Sequence, residues 1–439
     1  MSTCFFRSRF FLFIILSFVV LGCSGSDNRS SYSDDLADRE ISDSNGSTDY
    51  NDSDSTQITG TDQSQDTTAE STDSNSQSEI DTDFVKTVNN CDRGSYSELY
   101  KNVPPSTIPP GGLVLENVPQ FIAFGFDDNT YDDSMTWITE YLKGVKNPAG
   151  TGNECTFDNM DVHVSFFVST HSGISSAALI NSWEAAYSAG HEIGDHTDTH
   201  DKDILTAYNT GGDSGISGWQ SEITTCNNFL TENANVSPGD IVGFRTPFLA
   251  YSPATFTAVK NENFLYDCSI EHYMTGNGFD WPYTLDSGKS SSTYATGEPG
   301  SIPGLWEMPV GEFMPEGSWS GVTGFDWNVW CQKKMSKDDA VKLWMDSLKL
   351  RMEGNASLYI EPNRAPFFIG VHTDIYSEFN DDANTNCSET WTSRRSALEE
   401  FITQALAYNK DVRIVSYNEV VSWMQRPIGL DGTLSPPGE

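Results

Sequence analysis

Between about residues 91 and 425, short apolar runs alternate with segments of helical periodicity, which limits the folds open to this chain. The apolar runs predict strands at 121–126, 162–168, 191–195, 241–245, 264–269, 305–310, 367–371 and 411–416. The segments between them predict helices at 132–146, 174–189, 215–232, 337–352, 393–408 and 417–425. Strands that are apolar on both faces are typical of a parallel sheet covered by helices. Seven or eight such units favour a β/α barrel, with a doubly wound open sheet as the alternative.

Polar side chains follow the predicted strands at the point where each strand ends. Asp127 and Asp128 follow the first strand, and His196, Arg245 and His372 come at or just after the ends of three others. A β/α barrel places its chemistry at the carboxyl ends of its strands. This placement therefore favours the barrel over the open sheet.

Two imidazoles and one carboxylate make a minimal catalytic metal site, and a second carboxylate beside it can act as a base. His196 and His200 have the i, i+4 spacing that can bring two rings together, and the Asp127-Asp128 pair supplies both carboxylates. Taken alone, an Asp-Asp pair is more often a turn or a helix cap. Four other histidines have no such context and are predicted to be ordinary core or surface histidines, namely His163, His171, His191 and His272.

Four ordered motifs, FGFDDN, HTDTH, RTPFLAY and GVHTD, resemble those of the NodB-homology polysaccharide deacetylases, carbohydrate esterase family 4. YDCSI, DWPYTLD and GLWEMPV are similar to the chitin deacetylase branch, and the resemblance covers roughly residues 116–425. It implies a distorted (β/α)7-8 barrel of the polysaccharide deacetylase type. The implied reaction is removal of N-acetyl groups from GlcNAc units of a glycan, first of chitin or chitooligosaccharides and second of peptidoglycan.

The resemblance assigns the metal ligands and the base. It implies that Asp128, His196 and His200 hold a divalent metal, usually zinc in this family. Asp127 becomes the general base, and Arg245 keeps it ionised and oriented through a charge-assisted hydrogen bond.

The resemblance also implies an acid and an oxyanion donor. His372 would protonate the departing nitrogen, and a carboxylate such as Asp267 or Asp374 would tune or orient His372 or Arg245. The backbone N–H near Phe248 would stabilise the oxyanion. Two tryptophans are candidates for walls against the sugar ring or the acetyl methyl, or for a structural role instead: Trp281 and Trp306.

Two departures from the family pattern leave the substrate open. Asn129 stands where the first motif has Gly, and Phe248 stands where the third often has Tyr. Asn tolerates a left-handed backbone and the oxyanion donor is a backbone group, so the chemistry is retained. The alternatives are an O-acetyl esterase acting on xylan and a non-catalytic glycan-binding lipoprotein.

The N-terminus predicts export. Arg7 and Arg9 precede an apolar stretch at 10–21 that suits a secretory signal, and this stretch ends in Val-Val-Leu-Gly-Cys. The ending resembles a bacterial lipobox, which implies cleavage before Cys23 and a lipid anchor in a bacterial membrane. Ser24 favours the outer membrane if the source is Gram-negative. The alternative is an ordinary signal peptide with an incidental cysteine.

The composition divides the rest of the chain. Residues 24–85 are rich in Ser, Thr, Asp and Asn and predict a disordered tether behind the anchor. The predicted organisation is a signal peptide at 1–22, the lipidated Cys23 and tether to 85, an N-terminal extension at 86–115 and a catalytic domain at 116–430.

The formal net charge is −38, and only part of it comes from the tether, which holds 16 acidic residues against two arginines. The folded part is therefore strongly acidic itself. Nucleic acid is excluded as a partner by this charge, whereas a neutral glycan, or one that becomes cationic as it reacts, is not repelled.

Six cysteines lie beyond the signal and the lipobox: Cys91, Cys155, Cys226, Cys268, Cys331 and Cys387. An even number in an exported domain predicts up to three disulfides among fifteen possible connectivities. All six are expected in loops or at element edges, where they would staple long loops.

Overall fold

The computed structural model describes residues 102–171, 174–274, 278–291, 293, 298–313 and 323–433. The predicted signal peptide, Cys23 and the tether lie outside these residues and stay predictions. Within them, no helix combines the length and apolar character that crossing a bilayer requires.

The fold is a distorted β/α barrel, as the sequence predicts. The strands are β1 Gln120–Asp127, β2 Ser165–Val168, β3 Glu192–Asp195, β4 Gly243–Phe244, β5 Tyr266–Asp267, β6 Glu271–His272, β7 Tyr283–Thr284, β8 Trp306–Glu307, β9 Val310–Gly311, β10 Phe367–His372 and β11 Val412–Ile414. The main sheet runs β10-β1-β2-β3-β4-β5-β8-β7, with β11 also paired to β1. Its pairs are parallel except β7 with β8, and β6 and β9 form a separate parallel pair.

Helices cover the outside of the sheet. They are α1 Asp132–Leu142, α2 Ala177–Ser188, α3 Lys202–Thr210, α4 Asp213–Asn233, α5 Pro253–Asn261, α6 Lys337–Glu353, α7 Asp381–Asn386, α8 Trp391–Tyr408 and α9 Tyr417–Gln425. The six predicted helices are present, and α3, α5 and α7 were not predicted. These three are short, so each offers few turns of periodic signal, although side-chain caps mark their starts, for example Asp201 before α3.

The apolar runs overestimate strand length. The run at 162–168 predicts a long strand, but the ladder of β2 begins only at Ser165. Val162 and Val164 are nevertheless buried, at 1% and 0% exposure. An apolar run therefore predicts which residues are buried in the barrel wall, but only part of the run forms strand hydrogen bonds.

The longest strand shows why the strands read as continuously apolar. Ile122, Phe124 and Phe126 of β1 pack into the layer between sheet and helices. Phe121 and Ala123, which point the other way, pack into a second cluster with Phe167 and Phe368. Both faces of β1 are thus buried.

The disulfide prediction is only partly confirmed. Cys331 and Cys387 are bonded, and Cys155 is also in a disulfide. The expectation that all six cysteines lie in loops or at element edges is wrong for Cys226, which lies inside α4. Cys226 and Cys268 are free and buried, so these two serve as small apolar side chains.

Candidate active site

The turn after β1 brings two adjacent carboxylates to one edge of the sheet. Asp127 ends the strand, and Asp128 and Asn129 then take left-handed backbone conformations, with φ of 66° and 62°. The fully buried Asn129 amide donates to the carbonyls of Phe126 and Phe167, both at 2.8 Å. Asn therefore supplies the left-handed conformation expected of Gly here, and also locks the turn.

Asp128, His196 and His200 converge as predicted. Their donor atoms lie within 4.8 Å of one another. Asp128 Oδ1 is 3.5 Å from His196 Nε2 and 3.2 Å from His200 Nε2. Donors at zinc bond lengths in a tetrahedral site lie roughly 3.3 Å apart, so this trio fits such an ion.

The tautomer of His196 supports this use. Its Nδ1 lies 2.8 Å from the Arg245 carbonyl oxygen, which can only accept, so Nδ1 carries the proton. Nε2 is then left with a lone pair directed toward Asp128, the arrangement found for metal-binding histidines. The site is thus a possible metal site, and its residues do not identify the metal.

Arg245 lies directly behind the base candidate and is completely buried. Its guanidinium donates to Asp127 Oδ1 at 2.7 Å, to the carbonyls of Gly125 and Cys268 at 3.2 Å each, and to the Tyr417 hydroxyl at 2.8 Å. It also packs on the ring of Phe167 at 4.5 Å. Asp127 is itself only 3% exposed, so its carboxylate and the Arg245 guanidinium form a buried ion pair.

His372 ends β10 and stands in register with Asp127 on the neighbouring strand. Its Nδ1 is 2.8 Å from Asp326 Oδ1, and its backbone N–H donates to Asp326 Oδ2 at 3.1 Å. Burial lowers the pKa of His372, but the hydrogen bond and charge of Asp326 outweigh it and raise that pKa to about 10. The partner of His372 is therefore Asp326, which the sequence reasoning missed.

The two acids expected in that role have other partners. Asp267 accepts from the N–H and hydroxyl of Ser269, at 2.8 and 2.9 Å. Asp374 accepts from the N–H of Thr130 at 3.0 Å and from its hydroxyl. Burial raises the pKa of Asp267 to about 6 and that of Asp374 to about 7.

No hydrogen bond among the described residues joins either acid to His372 or Arg245. The positive charge of Arg245 nevertheless acts to lower the pKa of Asp267, and that of His372 acts to lower the pKa of Asp374, so their role in tuning these groups stays a prediction. Asp267 fixes the start of the loop after β5, and Asp374 fixes the loop between β1 and α1.

The aromatic candidates divide into one at the site and two in the core. Phe248 has a φ of 56°, and its ring centroid lies 4.5 Å from that of His200. Trp281 and Trp306 are each 2% exposed, and Trp281 stacks on Trp423 at 6.0 Å. Their burial favours the structural role that the sequence left open.

The described contacts of three of the four other histidines fit structural roles. His272 is buried and bonded to the Ile270 carbonyl and the Tyr283 hydroxyl, and His163 pairs with Glu419. His191 is buried at 5% exposure. His171 is exposed, and the charges of His200, Asp128 and His196 act on its pKa, so its assignment stays a prediction.

Two curated proteins match the chain. Chitin deacetylase 1 of Bombyx mori is 24% identical over 332 residues, which are 73% of this chain and 54% of that protein. Chitin deacetylase 8 of the same organism is 26% identical over 336 residues, covering 74% and 76%. The chain is similar to chitin deacetylases. The predicted resemblance to the NodB-homology polysaccharide deacetylases is confirmed.

The matched stretch spans about half the length of the first of these chitin deacetylases. No protein-family model matches the chain. Among solved structures, a family 4 acetyl xylan esterase from Clostridium thermocellum, in complex with cobalt, covers 69% of this chain and 90% of its own. Its TM-score is 0.35 at 14% identity.

Proposed function

We propose that this protein is a metal-dependent hydrolase that removes N-acetyl groups from GlcNAc units of a glycan. Chitin or chitooligosaccharides are the first substrates proposed and peptidoglycan is the second. The similarity to proteins named chitin deacetylase supports the reaction class. The observation that carries the proposal is that Asp127 and His372, two proton-transfer groups in register on neighbouring strands, stand beside the three-donor cluster.

Asp127 is the general base of the proposed reaction. Its carboxylate is not part of the donor cluster, and the buried Arg245 donates to its Oδ1 at 2.7 Å and so fixes its orientation. An ionised carboxylate at this place can take a proton from an attacking water. Asp128, His196 and His200 would hold the divalent cation, for which zinc suits the nitrogen and oxygen donors. When bound, such a cation polarises a carbonyl oxygen and lowers the pKa of water.

His372 is the general acid. Because His372 Nδ1 is hydrogen-bonded to Asp326, Nε2 is the ring nitrogen left to protonate the departing amine. The raised pKa of His372 keeps that proton in place at neutral pH. The backbone N–H of Phe248 is proposed as the oxyanion donor, because the left-handed turn at Phe248 places this segment against His200.

Export and a lipid anchor at Cys23 complete the proposal. An anchored domain on a tether could reach a surrounding glycan. Both features depend on residues outside the described part of the chain.

Acetate release tests the proposal. The full-length protein, in detergent, is incubated with chitooligosaccharides, with peptidoglycan and with acetylated xylan, before chelation, after chelation and after zinc is restored. We expect release from a GlcNAc polymer that is abolished by chelation and recovered with zinc. Release from xylan alone would instead show an O-acetyl esterase. No release from any glycan by folded, zinc-loaded protein would contradict the hydrolase and favour a glycan-binding protein.

A further inference from the structure

The short segment 196–200 carries two of the three donors, and its two histidines are held very differently. The His196 backbone N–H donates to the Val168 carbonyl at 3.0 Å, and its ring is fixed by the Arg245 carbonyl. His200 has less support of its own. Its backbone N–H reaches the Thr197 hydroxyl at 3.3 Å, and its ring packs against Phe248.

This turn also adopts an unfavourable backbone conformation. Thr197 and His200 have φ of 71° and 50°. A β-branched residue at positive φ is a true outlier, and such conformations persist only where the surrounding structure enforces them. The position of His200 therefore depends on what restrains the turn from outside.

Glu222 supplies such a restraint from helix α4. Its Oε2 accepts from the Thr199 N–H at 2.8 Å, and both of its carboxylate oxygens lie 3.1 Å from the Thr199 hydroxyl. Thr199 is the residue directly before His200. Glu222 belongs to the buried side of α4, which Trp219 and Ile223 anchor in the core, so it acts from a rigid support.

A buried carboxylate at position 222 is a costlier choice than a neutral hydrogen-bond acceptor would be. Glu222 is only 6% exposed, and none of the described ion pairs includes it. A buried carboxylate without a cationic partner is costly, and a neutral acceptor would cost less. A carboxylate, however, has only acceptor atoms, so it can take both the N–H and the O–H of one threonine.

We propose that Glu222 is a positioning residue for the metal site. By holding Thr199, it keeps His200 Nε2 facing Asp128 and His196, and so raises the affinity for a divalent cation. This inference rests on the metal-binding part of the proposed function. It does not depend on which glycan is the substrate.

The test is zinc affinity of the chelator-stripped protein, measured by competition with a chromogenic zinc chelator. We expect Glu222→Ala to weaken zinc binding about 10- to 100-fold, the usual effect of removing a group that orients a ligand. Gln220→Ala is the matched control. Gln220 lies on the same helix and donates to Glu262 at 2.8 Å, away from the turn, so zinc affinity should not change.

Two milder variants keep the test decisive if Glu222→Ala does not fold. Thr199→Val removes only the hydroxyl, and Glu222→Gln keeps one acceptor oxygen. Both should weaken zinc binding by a smaller factor, and turnover should recover at saturating zinc. A lower Tm with unchanged zinc affinity in these variants would overturn the proposal, as would an equal loss in Gln220→Ala.

The outcomes separate this inference from the proposed function. If the wild-type protein binds zinc but releases no acetate, the proposed hydrolase activity is contradicted, and the proposed effect of Glu222 on zinc affinity is unaffected. Wild-type protein that binds no zinc would overturn the role of Glu222.

Discussion

Two buried Asp–Arg pairs lie at opposite ends of β1, and only one of them is in the candidate site. Asp127 and Arg245 meet at the carboxyl end of the strand. Asp158 and Arg413 meet near its amino end, because Arg413 on β11 stands in register with Phe121. Both arginine side chains are completely buried, so burial and pairing are common to both sites.

The number of other donors distinguishes the two carboxylates. Besides Arg413, Asp158 receives four donors at 2.7–3.0 Å: the N–H groups of Thr151, Gly152 and Asn153 and the hydroxyl of Thr156. The Asp127 carboxylate receives only Arg245 among the described hydrogen bonds. A saturated carboxylate holds a loop in place, whereas one with spare acceptor capacity can take a proton. The comparison therefore favours a structural role for Asp158 and supports the catalytic role proposed for Asp127.

The largest expected effect is on turnover by Asp127→Asn. Removing a general base should lower kcat by about 10²–10⁴-fold. Zinc affinity should remain near that of the wild type, because Asp127 is outside the donor cluster. Acetate release and zinc competition on the same preparation check this prediction, and an active variant would sink the proposed mechanism.

Asp158→Asn should show the opposite pattern. Removing one partner of a buried ion pair should lower the free energy of unfolding by about 3–5 kcal/mol, with kcat nearly unchanged. Urea denaturation gives the measurement. Asp161→Asn is the matched control, because its pair with Lys146 is about half exposed and should contribute about 0.2–1 kcal/mol. A large loss of kcat in folded Asp158→Asn protein would break the comparison.

Asp326→Asn tests whether a third buried acid serves catalysis, as proposed for Asp127, or structure, as for Asp158. Asp326 is 0% exposed and orients His372 without touching the donor cluster. The pKa of His372 should fall toward its ordinary value, so this proposed general acid should lose its proton at lower pH. We expect the alkaline limb of the kcat profile to move down in pH and kcat at pH 8 to fall about 10-fold or more. An unmoved alkaline limb would show that His372 is not the acid.

The smallest effect concerns stability at acid pH. Burial acts to raise the pKa of Asp158. The hydrogen bond and charge of Arg413, together with the hydrogen bonds from Asn153 and Thr156, outweigh burial and hold that pKa below its ordinary value. The stabilisation is therefore full above about pH 4 and lost as pH falls through the folded-state pKa. The difference in unfolding free energy between wild type and Asp158→Asn should therefore narrow over that range, by the part of it that the lowered pKa contributes. A constant difference down to pH 2 would contradict it.

The sequence alone predicted the barrel, because the alternation of apolar runs and helical segments is a local property of the chain. It also predicted which polar residues would meet at one edge. Asp127, Asp128, His196, Arg245 and His372 adjoin strand ends, and parallel strands bring those ends together. His200 joins them although residues 196–200 form an irregular turn and not a helix, with Thr197 and His200 in left-handed conformations, so the i, i+4 spacing alone did not determine its position.

Only the tertiary structure decided which groups support that cluster. Asp326 reaches His372 across 46 residues and Glu222 reaches Thr199 across 23, and neither lies in a motif that points to its partner. The structure likewise placed Trp281 and Trp306 in the core and left Cys226 and Cys268 unpaired. The physical reason is that hydrogen bonds, burial and disulfides join residues that are close in space, and strand and helix patterns report only what each short segment buries.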